Sequence, residues 1–487
     1  MWRSSWGVVV LSTSIAVSPS CCRPITVSYY STSRLVSHPP DLLKWVRREG
    51  GFVHPSIKIA DVPSYGLGLV ASHDIPQGSD LIALPPHLPL RFDESNGASS
   101  SVLTDLALRI PEELWAMKLG LKLLQERAKT SSFWWPYISN LPETYSVPIF
   151  FDGTNIQKLQ YAPIVNQVNK RCRFLLDFKH QVEEAVANLE KEDHPFGGQD
   201  IDSSALGWAM AAVSSRAFRL YGDKHSENIH EYVLMLLPLI DMCNHSFNPN
   251  AKIFQGQHNA ENAKMLVKVV AENDIKRDDP LELNYGNMNN DLFLLDYGFV
   301  MVPNPYDQIE LRYHPSLLEA ANVTVGINSP CFSSPTSWQS EFLSALKLDD
   351  QDSWASPNLK VTLGGPDLVD GRILAASRIL NASHLKTVSE SELPTLQSLS
   401  AEAPFGISNE LAALRTIIGL CMLILQNFPT NITEDAALLK EGVSGISEEL
   451  AIRFRMEKKS VIVNVMREMS NRVKLLQQRA NESAVSA

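Results

Sequence analysis

Short apolar runs that glycine and proline keep cutting off constrain this chain more than any other feature. Ile57-Lys58-Ile59-Ala60, Gly66-Leu67-Gly68-Leu69-Val70-Ala71 and Leu81-Ile82-Ala83-Leu84 follow one another closely, and Pro85-Pro86 ends the last. Runs this short, with such punctuation between them, read as small strands and turns. The pattern returns at Leu234–Ile240, Met265–Val270 and Leu281–Asn284. Between the two sets the period is helical. Pro111 suits a first helical turn, and Leu114, Met117, Leu121 and Leu124 fall on one face. Helical spacing continues through Ala162–Asn188 and Ser203–Leu220, then dominates after Pro303-Asn304-Pro305, near Ile373–Leu380, Asn409–Gln426 and Glu448–Gln478. Ahead of it all, Asp41 offers an N-cap to a helix starting at Leu42. The expected class is α+β: a strand-rich module split by a helical insert over 109–205 and followed by an all-helical region over 304–487.

Composition narrows the function classes. At 487 residues the chain has room for about three domains. Its 44% hydrophobic and 20% charged residues are ordinary globular chemistry. A net charge of −11 gives no overall positive field for nucleic acid or anionic lipid. No uninterrupted apolar run of about 18 residues is present, which argues against a membrane span. The six cysteines contain no C-x-x-C pair, so neither a disulfide framework nor a zinc ribbon is expected, and no metal.

The first forty residues stand apart. They hold Arg3, Arg23 and Arg34, ten serines, and no acid before Asp41. That is the composition of an organellar transit peptide, with a secretory signal and a plain disordered tail as the competing readings. The expectation is a leader over 1–40, cut between Ser28 and Asp41.

Three segments carry chemistry. Tyr65-Gly66-Leu67-Gly68 has glycines at alternating positions, which let a backbone approach a ligand. No third glycine and long helix follow, and no Gly-Lys-Ser/Thr ends the run, so dinucleotide and P-loop readings fail. Asp241-Met242-Cys243-Asn244-His245-Ser246 runs an apolar strand into small polar groups. Asn244 offers both donors and acceptors, and His245 has no second His or Cys at ligand spacing. Glu282-Leu283-Asn284-Tyr285-Gly286 and Asp296-Tyr297-Gly298-Phe299 bring two tyrosines to bear on an aromatic-walled channel, suited to a narrow substrate ending in an amine. Taken singly, each segment is also explained by turns and strand-end hydrogen bonds.

Their order decides between these readings. Gly-x-Gly, then Asn-His-Ser, then Glu-Leu-x-Tyr-Gly resembles the SET-domain methyltransferases. The insert, the Asp-Tyr-Gly-Phe segment, Trp135–Pro142 and Ser215-Arg216-Ala217-Phe218 make it similar to the plant group typified by the Rubisco large-subunit lysine methyltransferase. The likeness runs from about Asp41 to Leu476. It implies a SET fold of small sheets with a pseudo-knot, over 41–108 and 206–303, and a substrate-binding domain over 304–487. It implies S-adenosylmethionine as cofactor, held by Tyr65, Gly66, Leu67, Gly68, Arg216, Asn244 and His245. Tyr285 becomes the catalytic residue, with Asp241 and Tyr297 on the lysine side. A monomeric protein-lysine methyltransferase of the chloroplast, or of the mitochondrion, is expected, with Rubisco large subunit or aldolase as candidate substrates. A histidine methyltransferase and a silent binding module are the alternatives. Where many relatives carry a second arginine, this chain has Leu220, with Arg219 beside it.

Overall fold

The computed structural model describes residues 25–27, 33–62, 66–92, 99–129, 131–221, 232–255, 266–327, 332, 334–349, 357–382 and 393–485. Residues 1–24 and 28–32 of the expected leader, and Tyr65, lie outside them.

Among the described residues the strands form six small sheets and no large one, as the short runs require. Ile57–Val62 and Gly66–Ala71 form an antiparallel hairpin in which Ala60 faces Gly68. Ala251–Gln255, Val267–Ala271, Asp80–Leu84 and Phe52–Val53 make a four-stranded sheet in that order. Leu90–Arg91, Tyr232–Leu236 and Ala217–Tyr221 make a three-stranded one. A two-residue parallel pair, Asn244–His245 with Glu282–Leu283, tucks one functional segment against another. Asp41 caps the Leu42–Arg48 helix by accepting the Lys44 N–H at 3.0 Å.

The insert contributes helices Ala116–Ala128 and Ala162–Val186, and the helix Ser203–Ser214 packs on the first of them. Their buried apolar residues join the strands in one core, with Leu69, Leu84, Leu121, Phe178 and Leu236 among its members. The C-terminal region has its own core beneath Gly371–Leu380, Ile407–Gln426 and Ile446–Val485. Ile407–Gln426 is long and apolar enough to cross a membrane, but Leu414, Ile417, Leu420 and Cys421 are fully packed in that core.

Two expectations need correction. The helical reading of Ser203–Leu220 stops at Ser214, and the residues beyond pair edge to edge with Tyr232–Leu236. The C-terminal region is not all-helical, because Gln308–Arg312 pairs with Lys360–Gly364. Part of the segment expected as leader packs on the rest of the chain. Ile25–Val27 pairs with Val300–Val302, Leu35 N–H donates to Leu141 O at 2.8 Å, and Arg34 Nη1 donates to Asn140 Oδ1 at 2.7 Å.

A buried polar knot ties the last helix down. Asp435, fully buried, accepts from Arg455 Nε at 2.9 Å and Lys459 Nζ at 2.6 Å, and both cations are themselves buried. Removing the shared carboxylate leaves two buried charges unpaired, a loss of the kind that costs about 3–5 kcal/mol. Asp435→Ala should therefore lower unfolding free energy by about that amount in urea titration. A loss within about 1 kcal/mol, the size expected of an exposed pair, would mean that water already screens the network.

Candidate functional site

Two cavities meet at one set of walls. The first is lined by Ser33, Arg34, Leu67, Asn140, Arg216 and Asn244, among others. The second, of about 670 Å³, is lined by Trp115, Phe218, Arg219, Met288, Asp296 and Tyr297, among others. Ser215, Arg216, Asp241 and Tyr285 belong to both.

The crossing of the two polar segments fixes Tyr285. Asn244 N–H donates to Leu281 O and Ser246 N–H to Leu283 O, each at 3.0 Å, so the 244–246 stretch is clipped to the strand that leads into Tyr285. His245 Nδ1 then accepts the Tyr285 backbone N–H at 3.1 Å, and the Tyr285 hydroxyl donates to Cys243 O at 2.5 Å. Backbone and side chain of one residue are thereby held by the same neighbouring segment. The Tyr285 ring stacks on Tyr297, with centroids 5.2 Å apart and 25° between planes.

His245 sits beneath the site rather than in its walls. Its ring packs against Phe247, Phe293 and Tyr285, and only 2% of the residue is exposed. Burial pulls its pKa from 6.5 down to about 4, so the imidazole is neutral. Because Nδ1 accepts the Tyr285 N–H, the proton of the neutral ring resides on Nε2.

Asp241 is reached through a tight turn. Leu239 takes a left-handed φ of 69° before the helical turn Ile240–Met242, a conformation uncommon for a branched apolar residue. Asp241 Oδ2 accepts from Tyr137 at 2.7 Å and from Arg216 Nη1 at 3.3 Å. Burial pushes its carboxyl above the usual range, and the Arg216 guanidinium opposes that. Asp241 was expected on the substrate side alone; it borders both cavities because Arg216 and Tyr137 hold it at their junction.

Among the buried polar atoms in these walls with no hydrogen-bond partner among the described residues are Asp241 Oδ1 and Asn244 Nδ2. Buried polar atoms are normally satisfied, so an orphan donor and an orphan acceptor in the wall of one cavity point to a ligand. Gly68 fits the same reading. A Cβ built there would stand 2.6 Å from Asn244 Nδ2, so only glycine lets the strand pass so close.

Of the expected residues, Leu67, Arg216, Asn244, Asp241, Tyr285 and Tyr297 line the cavities. Gly66 opens the strand that carries Leu67, at a left-handed φ of 75°, and Gly68 packs on Asn244. Strand alternation settles the Arg219 and Leu220 positions: Arg219 borders the larger cavity, while Leu220 turns into the core. The sequence reading missed Arg34, assigned to the leader, and Asn140, which accepts from it. The Trp135–Pro142 stretch, noted as a matching segment, was the available signal, since it supplies both Tyr137 and Asn140.

Comparison with known proteins agrees with this geometry. The SET domain matches residues 66–286, and the Rubisco LSMT substrate-binding domain matches residues 333–462. Actin-histidine N-methyltransferase of Mus musculus is 25% identical over 431 residues, covering 87% of this chain and 67% of that protein. The Homo sapiens protein of the same name is 24% identical over 453 residues, covering 91% and 70%. Among solved structures, the SET domain of LSMT bound to lysine and AdoHcy is similar in fold, with a TM-score of 0.60 at 19% identity, covering 90% of this chain and 92% of that one. Rubisco LSMT bound to AdoMet has a TM-score of 0.58 at the same identity and coverage.

The depressed His245 pKa carries a stability consequence. Between pH 6.5 and about 4 the unfolded chain takes up a proton that the folded chain refuses. His245 thus contributes stability that is fully present above pH 6.5 and falls away towards pH 4, by up to roughly 3 kcal/mol. His245→Asn should flatten that part of a urea-unfolding profile against pH. Superimposable profiles for the two proteins would remove the buried histidine from the account.

Proposed function

We propose that this chain, which carries a SET domain and a Rubisco LSMT substrate-binding domain, is an S-adenosylmethionine-dependent protein methyltransferase whose acceptor is a lysine amine. The observation that carries the reading is the pair of cavities meeting at Tyr285 and Asp241. A methyl donor and an acceptor that approach from opposite sides need two chambers and one narrow junction, and holding both partners there removes much of the entropic cost of encounter.

S-adenosylmethionine, when bound, supplies a methyl group on a cationic sulfur. The polar groups bordering the first cavity suit it in chemistry. Asp241 Oδ1 and Asn244 Nδ2 offer an acceptor and a donor that lack partners among the described residues, and Arg34 and Arg216 bring positive charge suited to a carboxylate. Tyr285 spends its hydroxyl proton on Cys243 O, so its oxygen meets an incoming amine as an acceptor. That contact turns an N–H towards the phenol and leaves the nitrogen lone pair for the junction. Trp115, Phe218, Met288 and Tyr297 give the acceptor cavity an apolar stretch of wall that suits a four-carbon stem, beside the charged Arg216, Arg219, Asp241 and Asp296. The amine must be neutral to react, and burial among these rings favours loss of its proton.

Histidine is the second reading, because the relatives named above are actin-histidine methyltransferases. Labelled methyl transfer to an organelle protein extract, followed by mapping of the modified residue, separates the two. Label on a lysine side chain supports the first reading and label on an imidazole the second; no transfer at all leaves a silent binding module. The organellar address itself rests on the composition of the first forty residues. With Ser33 and Arg34 in a cavity wall, processing is expected ahead of Ser33.

Two substitutions test the site. Asn244→Ala should weaken S-adenosylmethionine binding about tenfold to a hundredfold in calorimetry, the loss expected when buried partners go unpaired. Unchanged affinity in a folded variant would take Asn244 out of the cofactor site. Tyr285→Phe should slow single-turnover transfer about 10²–10³-fold, as for other lost preorganised contacts. A rate within about threefold of the parent would overturn the catalytic assignment, since a group of this kind is worth far more.

A further inference from the structure

The segment that delivers Tyr297 is gripped from both ends by cations that come from outside the strand-rich module. It begins with a short helical turn, Asn290–Leu292, and continues as a π-helix, Phe293–Tyr297, ended by Gly298 at a φ of 76°. A π-turn is uncommon and costs hydrogen-bond geometry, so it persists only where the surroundings hold it.

At its start stands Lys458, fully buried, from the C-terminal helix Ile446–Val485. Its ammonium reaches Asp291, Asp307 Oδ1 at 2.7 Å and Gln308 O at 2.9 Å. Asp307 also accepts the Asn290 backbone N–H at 3.0 Å. At the other end stands Arg171, from the insert helix Ala162–Val186. Its Nη1 donates to Leu295 O at 2.9 Å and pairs with Asp296 Oδ1 at 2.7 Å, with the side chains only 14% and 16% exposed. Ser214 adds a bond from its hydroxyl to Asp296 O at 3.1 Å.

We propose that Arg171 and Lys458 are positioning residues for Tyr297: by clamping the two ends of its π-helical segment they set where its ring stands against Tyr285 in the acceptor cavity. The inference rests on the reading of that cavity as the acceptor site. Arg171 binds a main-chain carbonyl within the π-turn, so its loss frees the backbone that aims Tyr297 as well as the Asp296 carboxylate. Lys458 lies within the region matching the Rubisco LSMT substrate-binding domain. The substrate-binding region and the insert thus both act on the geometry of the acceptor pocket without entering it.

Arg171→Gln tests this most cleanly, because Arg171 is less deeply packed than Lys458. Backbone amide exchange over residues 293–298 should quicken at least tenfold, while exchange in the core strands and the cofactor affinity stay near the parent values. Turnover should fall about tenfold to a hundredfold, as for a reacting geometry displaced by about an ångström, with a changed ratio of mono- to higher-methylated product and little change in cofactor KM. Arg171→Lys should recover part of both effects, having one charged contact but no fork. Lys170→Gln, one residue away in an exposed pair with Glu113, should change neither. Lys458→Met, if it folds, should loosen the same amides. The exchange readout decides independently of catalysis. Unchanged exchange over 293–298 in Arg171→Gln overturns the clamp even if the chain transfers no methyl group. Faster exchange with unaltered turnover and product ratio in an active enzyme overturns the positioning role.

Discussion

A single crossing of two chain segments is what the site depends on. The 243–246 stretch pairs in parallel with the strand at Glu282–Leu283 and holds Tyr285 at three points: a strand pairing just before it, its own N–H on His245, and its hydroxyl on Cys243 O. Parallel pairing of such short strands is weak in isolation. It survives because Leu281, Leu283 and Cys243 are buried in the same core and the His245 ring is wedged between Phe247 and Phe293. Hydrophobic packing thus sets the position of a hydrogen-bonding group to within the tolerance that chemistry demands.

Electrostatics then divides labour between the two cavities. Arg34 and Asn244 border only the first cavity, Trp115, Phe218 and Tyr297 only the second, and Arg216 and Asp241 border both. Asp241, tied to Tyr137 and Arg216, sits between them in a site dry enough to raise its own pKa. On the aromatic side the acidic Asp296 is neutralised by Arg171. The charged residues bordering that cavity are two arginines, Arg216 and Arg219, and two aspartates, Asp241 and Asp296, so their formal charges balance.

Much of this was legible in the amino-acid sequence because it is local. Asp41 caps the helix it precedes, the Ile57–Ala71 runs form a hairpin, and the 409–426 and 448–478 stretches are helices of nearly those limits. Asn244, Tyr285 and Tyr297 could be singled out because polar residues directly after an apolar run, or tyrosines before glycine, are locally conspicuous. What could not be read is non-local. Ala217–Tyr221 is short and apolar enough to pass for the end of a helix, and its strand partner lies beyond a long connection. Gln308–Arg312 finds its partner only at Lys360–Gly364. Arg34 looked like leader chemistry because its role depends on Asn140, a hundred residues on, and Lys458 gave no hint that Asp291 and Asp307 would surround it.

The most direct test of the two-chamber account is a crystal structure of this chain with S-adenosylhomocysteine. The account expects the ligand in the cavity lined by Arg34, Leu67 and Asn244, its carboxylate near Arg34 or Arg216. The sulfur should stand at the junction formed by Asp241 and Tyr285, facing the chamber of Phe218 and Tyr297. Ligand density in the larger cavity, or a sulfur turned away from Tyr285 with the junction closed, would contradict it.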